Sequence, residues 1–133
     1  MKEALFRKFD CVQIPVPDLD AGLAFYRDHL GHELNWRTDT MAGLHMPESD
    51  AEIVLHTQPR GMEVSFLVAS APDGAVAVEQ AGGRVVVPAF DIQIGKCTVA
   101  EDPWGNQLVL LDMSKGSLVT DEAGNVVGTQ GAP

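Results

Sequence analysis

An internal repeat runs through this chain. The element order β-α-β-β-β is predicted twice, near residues 10–57 and near residues 62–112. Val12 in the first copy corresponds to Val64 in the second. A repeat of this kind constrains the architecture, because a single copy cannot bury its apolar face alone. The two copies therefore have to pack against each other. Two such copies can each curl a sheet around an open pocket, with helices on the outer face and the inner face free for a ligand.

The first copy has clear boundaries between its elements. Alternating apolar residues predict its first strand: Val12, Ile14 and Val16. Asp18 is placed to cap the N-terminus of a helix that Gly31 ends. Apolar residues recur at helical spacing and give this helix one buried face: Leu19, Leu23, Tyr26 and Leu30. Three further strands are predicted over 32–36, 44–46 and 52–57.

The second copy repeats this order. Its predicted elements are a strand over 63–68, a helix over 72–80, a strand over 84–87, a loop over 88–95, and strands over 96–100 and 107–112. The chain is thus predicted to be a single domain of two modules.

Residues 113–133 form an extension outside the repeat. Within it, SLVTDEAGNVVG (117–128) holds two short apolar pairs on either side of a Gly-Asn turn. This pattern favours an extra hairpin or strand that packs on the domain or on a partner. Disorder is an equal alternative for the last few residues.

The acidic composition excludes several classes of partner. The formal net charge of −10 repels nucleic-acid phosphates and anionic membrane surfaces, so neither is expected as a partner. A neutral or cationic small ligand is mildly favoured. No apolar run is long enough to cross a bilayer, and the N-terminus lacks a secretory signal. Cys11 and Cys97 are expected to be reduced thiols in a cytoplasmic protein.

Two stretches resemble a known family. VPDLDAGLAFYRDHLG in the first copy and AEDPWGNQLVLLD in the second are similar to motifs of the glyoxalase / bleomycin-resistance / extradiol-dioxygenase group, the vicinal oxygen chelate superfamily. The resemblance covers about 10–112. It implies an α+β fold in which two tandem βαβββ modules form curved mixed sheets around a cavity. It also implies a homodimer and a site inside the curved sheets.

The resemblance further implies where a metal would bind. The superfamily commonly places histidine on the first strand and glutamate on the last strand of each module. Those positions hold Cys11, Val54, Glu63 and Val109 in this sequence. Valine cannot ligate a metal, and neither first-strand position is histidine, so no metal cofactor is expected. The alternative is a divalent metal held by Cys11, His56 and Glu63, whose donor atoms are acceptable zinc ligands.

Three functional hypotheses remain open. The first is a metal-free protein that binds or sequesters a small molecule, cationic or aromatic, in the manner of the superfamily's drug-sequestering resistance proteins. The second is a metal-dependent lyase, isomerase or dioxygenase with a non-standard ligand set. The third is an accessory domain with a vestigial pocket. No catalytic residue is identified, although Glu63 is a candidate general base and Cys11 a candidate nucleophile.

The candidate ligand-binding residues are drawn from the predicted inner face and its rim. They are Cys11, Gln13, Trp36, His45, His56, Glu63 and Val109. Each has a structural alternative: Trp36 can cover the core or a dimer contact, and His45 can be a surface residue. Phe90 and 92–94 are expected in a flap over the cavity or in an interface patch, and Trp104 in a capping or packing role.

Overall fold

The computed structural model describes residues 3–131, and the strands in this part of the chain form one large sheet and one hairpin. The elements are β1 (Lys8–Pro15), α1 (Leu19–Leu23) continued by a π-helical segment (Ala24–His29), β2 (Leu34–Arg37), β3 (Met41–Met46), β4 (Ser49–His56), β5 (Glu63–Leu67), α2 (Ala71–Gln80), β6 (Arg84–Ile92), β7 (Gly95–Glu101), β8 (Gln107–Leu111), β9 (Ser117–Thr120) and β10 (Val126–Gln130). None of the described helices has the length and apolar character needed to span a membrane.

The large sheet has the strand order β2-β3-β4-β1-β5-β8-β7-β6. β1 pairs with β4 in parallel, and β5 pairs with β8 in parallel. The antiparallel pair β1–β5 joins the two halves at the centre of the sheet. The α+β fold with a curved mixed sheet, predicted from the sequence, is confirmed.

The first helix packs on the outer face of β3 and β4. Its predicted N-cap is confirmed, because the Asp18 carboxylate accepts a hydrogen bond from a backbone N–H three residues further on, at 2.7 Å. Leu19 and Leu23 are buried in a cluster with Leu44 and Leu55. The winding then loosens to a π-helix, which rotates the last turn, and Leu30 is 54% exposed instead of sharing the buried face.

The predicted loop over 88–95 is wrong. β6 continues through Pro88 to Ile92, and only a tight turn separates it from β7. Proline is tolerated here because β6 is an edge strand whose pairing with β7 shifts register between Val87 and Phe90. Phe90 and Ile92 are therefore held on a paired strand instead of a flap.

The second helix begins at Ala71, next to a buried carboxylate. Asp112 is 2% exposed and accepts hydrogen bonds from the backbone N–H groups of Ala71 (2.8 Å) and Lys96 (2.9 Å), and from the N–H and hydroxyl of Ser114. Burial acts to raise the pKa of Asp112, but these hydrogen bonds outweigh it and leave the pKa below its usual value. Asp112 thus joins α2, β7 and the segment after β8.

The C-terminal segment forms a hairpin that connects the two outer edges of the sheet. The Arg37 N–H donates to the Gly124 carbonyl at 2.8 Å, next to β2. The Thr129 hydroxyl donates to the Gln93 carbonyl at 3.2 Å, at the turn after β6. Within the described residues the predicted hairpin is therefore present and packs on the domain. Residues 132 and 133 lie outside the described part of the chain.

Candidate functional site

A cavity of about 610 Å³ lies inside the curve of the sheet. This volume is typical of sites that bind drug-sized molecules. Both halves of the sheet and the hairpin supply apolar walls, which include Met41, Val54, Phe90, Ile92, Ile94, Val99, Val109, Leu111, Leu118 and Val126.

Gln13 is the most deeply buried amide in the cavity wall. It is 7% exposed, and its Nε2 donates to the Ser65 hydroxyl at 3.2 Å across the central β1–β5 pair. Its Oε1 has no hydrogen-bond partner in the described structure. An unpaired buried acceptor costs about 1–3 kcal/mol. Gln13 therefore retains an unused acceptor at the cavity wall.

The two cysteines line the cavity as protonated thiols. Burial raises the pKa of Cys11 to about 12; hydrogen bonding by Ser65 lowers it, and the charges of Asp10 and Glu52 raise it. Burial likewise raises the pKa of Cys97 to about 11. Because the thiolate is the reactive form, neither side chain is an activated nucleophile near neutral pH.

Asp10 also lines the cavity, a position that the strand pattern of the sequence does not predict. The pairing of β1 with β5 shifts register between Phe9 and Cys11, so the alternation of side chains is interrupted at Asp10. Burial raises the pKa of Asp10, while hydrogen bonding to Cys11 and the charge of Lys8 lower it. A bulge of this kind has no signature in the local sequence.

Glu52 is the second carboxylate of the wall that sequence reasoning missed. Its Cα pairs with that of Cys11 across β1 and β4. One carboxylate oxygen accepts from Trp36 Nε1 at 3.0 Å and the other from Asn35 Nδ2 at 2.9 Å. Strand alternation could have identified Glu52, since it lies two residues before Val54 and shares its face. Trp36 itself lines the cavity, which is one of the alternatives that the sequence left open for it.

His56 is completely buried, and both ring nitrogens are engaged by the linker between the two halves. Nδ1 accepts from the Gln58 N–H at 3.2 Å, which places the ring proton on Nε2. Nε2 then donates to the Gly61 carbonyl at 3.3 Å. His56 therefore holds the linker and has no free lone pair for a metal or a ligand.

Glu63 shares a sheet face with Cys11 but is paired with a cation. In the β1–β5 register Cys11 lies opposite Ser65, and Gln13 lies opposite Glu63. The Glu63 carboxylate forms a short ion pair with Arg60, and Arg60 is the partner that lines the cavity. The positive charge of Arg60 thus offsets the negative charge of the Glu63 carboxylate.

The residues at the superfamily's metal positions do not fit a divalent cation. Val54 and Val109 line the cavity with aliphatic groups, which cannot ligate a metal. The alternative set fails to converge because His56 is turned into the linker. Among residues 3–131, no group of three or more histidine, cysteine, aspartate or glutamate side chains is arranged to hold a metal ion.

The other candidate residues lie away from the cavity. His45 is exposed on β3, and its carbonyl oxygen lies 3.0 Å from Nδ1 of His32. Trp104, expected in a capping or packing role, lies in the turn before β8. Its side chain is 83% exposed and does not pack on the described domain, while its backbone N–H donates to the Asp102 carboxylate within the turn. Of the seven predicted ligand-binding residues, the structure brings four to the cavity wall: Cys11, Gln13, Trp36 and Val109.

Comparisons with known proteins agree with this architecture. The family model described as the Glyoxalase/Bleomycin resistance protein/Dioxygenase superfamily matches residues 8–110, so the hairpin lies beyond the match. No curated protein matches the chain.

Solved structures share the fold at low sequence identity. Methylmalonyl-CoA epimerase from Mycobacterium tuberculosis is 23% identical with a TM-score of 0.67, over 84% of this chain and 91% of that chain. A superfamily member from Vibrio splendidus 12B01 is 14% identical with a TM-score of 0.60, over 77% and 96%. An extradiol ring-cleaving dioxygenase from B. fuscum is 22% identical with a TM-score of 0.60, over 81% of this chain and 33% of that chain.

Proposed function

This chain belongs to the glyoxalase/bleomycin resistance protein/dioxygenase superfamily, and on that basis we propose that it binds or sequesters a small molecule in its cavity without a metal ion. One observation carries the proposal. The cavity is walled by apolar side chains, and two of the superfamily's metal positions are the valines Val54 and Val109.

Desolvation supplies the binding energy in such a site. A ligand that buries about 300 Å² of apolar surface gains roughly 7 kcal/mol before the costs of association. Lost translational and rotational freedom removes part of this gain. The remainder supports reversible binding of a molecule whose body is apolar.

The polar groups of the cavity support binding better than catalysis. Both thiols are protonated near neutral pH, and the candidate general base Glu63 is paired with Arg60. No activated nucleophile or free base therefore faces the cavity among the groups that the sequence nominated.

Narrowing the cavity should weaken binding. Val99 lines it from β7 and is partly exposed, so the indole of Val99→Trp can project into the open space without displacing the core. We expect the Kd for the fluorescent neutral probe 1-pyrenemethanol to rise about tenfold, corresponding to about 1.4 kcal/mol. Fluorescence titration measures it.

A matched variant separates this effect from a general effect of tryptophan. Val76 is 52% exposed on α2, on the helical side of the sheet, and Val76→Trp should leave the Kd unchanged. Equal affinities for the wild-type protein and both variants would contradict binding in the cavity.

Two further expectations stay predictions. A homodimer rests on the resemblance, and a cytoplasmic location rests on composition.

A further inference from the structure

The C-terminal hairpin covers part of the cavity but belongs neither to the large sheet nor to the core. In the described sheets, β9 and β10 pair with each other and not with the other eight strands. Every residue of 117–130 is at least partly exposed. The hairpin contributes two half-buried apolar side chains, Leu118 and Val126, to the cavity wall. A two-stranded hairpin of this kind is only marginally stable on its own in water.

The base of the hairpin is attached at the turn between β6 and β7. The Lys115 N–H donates to the Ile94 carbonyl at 2.9 Å, and the Thr129 hydroxyl donates to the Gln93 carbonyl at 3.2 Å. Between these attachments and β9 lies Gly116, whose φ of +119° is a conformation that favours glycine. A few such positions can absorb the backbone rotation of a hinge.

The tip of the hairpin is attached more weakly, at the opposite edge of the sheet. The Arg37 N–H donates to the Gly124 carbonyl at 2.8 Å, and an isolated β-bridge pairs Arg37 with Asn125. The Gly124 backbone also lies against the Leu34 side chain, since a Cβ at Gly124 would be 2.9 Å from Leu34 Cδ2. Segments with few buried contacts and exposed hydrogen bonds are the first to open locally.

The turn at the tip is rigid in itself. The Asp121 carboxylate accepts hydrogen bonds from the Ala123 and Asn125 N–H groups, both at 2.9 Å, and from the Asn125 side-chain amide at 3.2 Å. The hairpin therefore moves as one unit about its base when the tip detaches from β2.

A ligand in the cavity would stabilise the attached position of the hairpin. Leu118 and Val126 face the cavity, so an apolar ligand removes their remaining exposed surface from water. A ligand that contacts the closed hairpin and not the open one shifts the equilibrium toward the closed state.

We propose that residues 117–130 are a lid, which detaches from Arg37 to admit the ligand and closes on the ligand's apolar body. This inference rests on the proposed function and specifies how the ligand reaches the cavity. The hinge of the lid is the segment 113–116, and its point of attachment is the contact between Arg37 and the tip.

A reversible disulfide between the tip and β2 tests the lid directly. Arg37→Cys combined with Asn125→Cys places two thiols at bridge partners, whose Cα atoms lie within the reach of a disulfide. In stopped-flow fluorescence, oxidation should lower the association rate of 1-pyrenemethanol about tenfold, because the lid can no longer open. Reduction should restore the rate. The single variant Arg37→Cys, treated with the same oxidant, is the control and should keep its rate.

A second variant weakens the attachment instead of locking it. Gly124 has a φ of +88°, so Gly124→Ala strains the tip and crowds Leu34, and dissociation of the probe should be about fivefold faster. Gly105 provides the matched control, because it occupies the same Asp-x-x-Gly-Asn turn between β7 and β8 with a φ of +90°. A Cβ at Gly105 meets no atom within 4 Å in the described structure, and Gly105→Ala should leave the dissociation rate unchanged.

The outcomes distinguish this inference from the proposed function. If the probe binds the oxidised double variant as fast as the reduced one, and leaves Gly124→Ala no faster than Gly105→Ala, the hairpin is a fixed wall. The lid is then overturned, while binding in the cavity stands. If 1-pyrenemethanol does not bind the wild-type protein, both proposals fail.

Discussion

Replacing Asp112 with alanine should lower the free energy of unfolding by about 3–5 kcal/mol. The carboxylate is 2% exposed and accepts four hydrogen bonds, from three backbone N–H groups and one hydroxyl. Alanine leaves these donors without a partner at the junction of α2 and β7. Urea denaturation followed by circular dichroism measures the change.

Acid should have a related effect on the wild-type protein. The pKa of Asp112 is lower in the folded state than its ordinary value of 3.8. Its contribution to stability is therefore present above that ordinary value and is lost as the pH falls through the lower folded-state pKa. Asp112→Ala should lack this part of the acid transition.

An exposed aspartate provides the matched control. Asp121 makes similar turn hydrogen bonds, to the Ala123 and Asn125 amides, at the tip of the hairpin. Asp121→Ala should destabilise the protein much less than Asp112→Ala. Equal effects of the two substitutions would show that the buried network around Asp112 does not hold the two elements together.

A carboxylate placed on the hairpin wall should nearly abolish binding of a neutral ligand. Leu118 on β9 lines the cavity, so Leu118→Asp places a carboxylate in the cavity wall. A bound ligand then has to strip water from this charge or leave water in the cavity, and either alternative weakens binding. We expect the Kd for 1-pyrenemethanol to rise about 30- to 100-fold, corresponding to about 2–3 kcal/mol. Fluorescence titration and a thermal melt together separate lost affinity from lost fold.

The neighbouring residue tests the direction of the side chain. Val119 follows Leu118 on the same strand, is exposed, and does not line the cavity. Val119→Asp should therefore bind the probe with wild-type affinity. If both variants bind normally, the hairpin is not a wall of the binding site.

The repeat and the alternation of apolar residues were enough to predict the fold class and the existence of β1, whereas the central position of β1 in the sheet was seen only in the structure. The cap at Asp18 was also predictable, because capping depends on neighbouring residues only. The path of β6 through Pro88 was not predictable from the sequence, since a proline is tolerated there only because β6 lies at an edge of the sheet.

The site was less predictable than the fold because its decisive features are tertiary. The bulge that turns Asp10 toward the cavity appears only in the pairing of β1 with β5. His56 lies on a strand face that favours the cavity by alternation, but the linker amide of Gln58 and the carbonyl of Gly61 engage its ring. The contribution of Leu118 required knowledge of where the hairpin packs.

The metal dependence of ligand binding is the most direct test of the proposal. The Kd of 1-pyrenemethanol should be the same for the purified protein before and after exhaustive dialysis against EDTA, and unchanged by added zinc, nickel, iron or manganese. Loss of binding on chelation, restored by one equivalent of such a metal in the wild-type protein but not in Cys11→Ala or Glu63→Ala, would contradict the account. It would favour the metal-dependent enzyme instead.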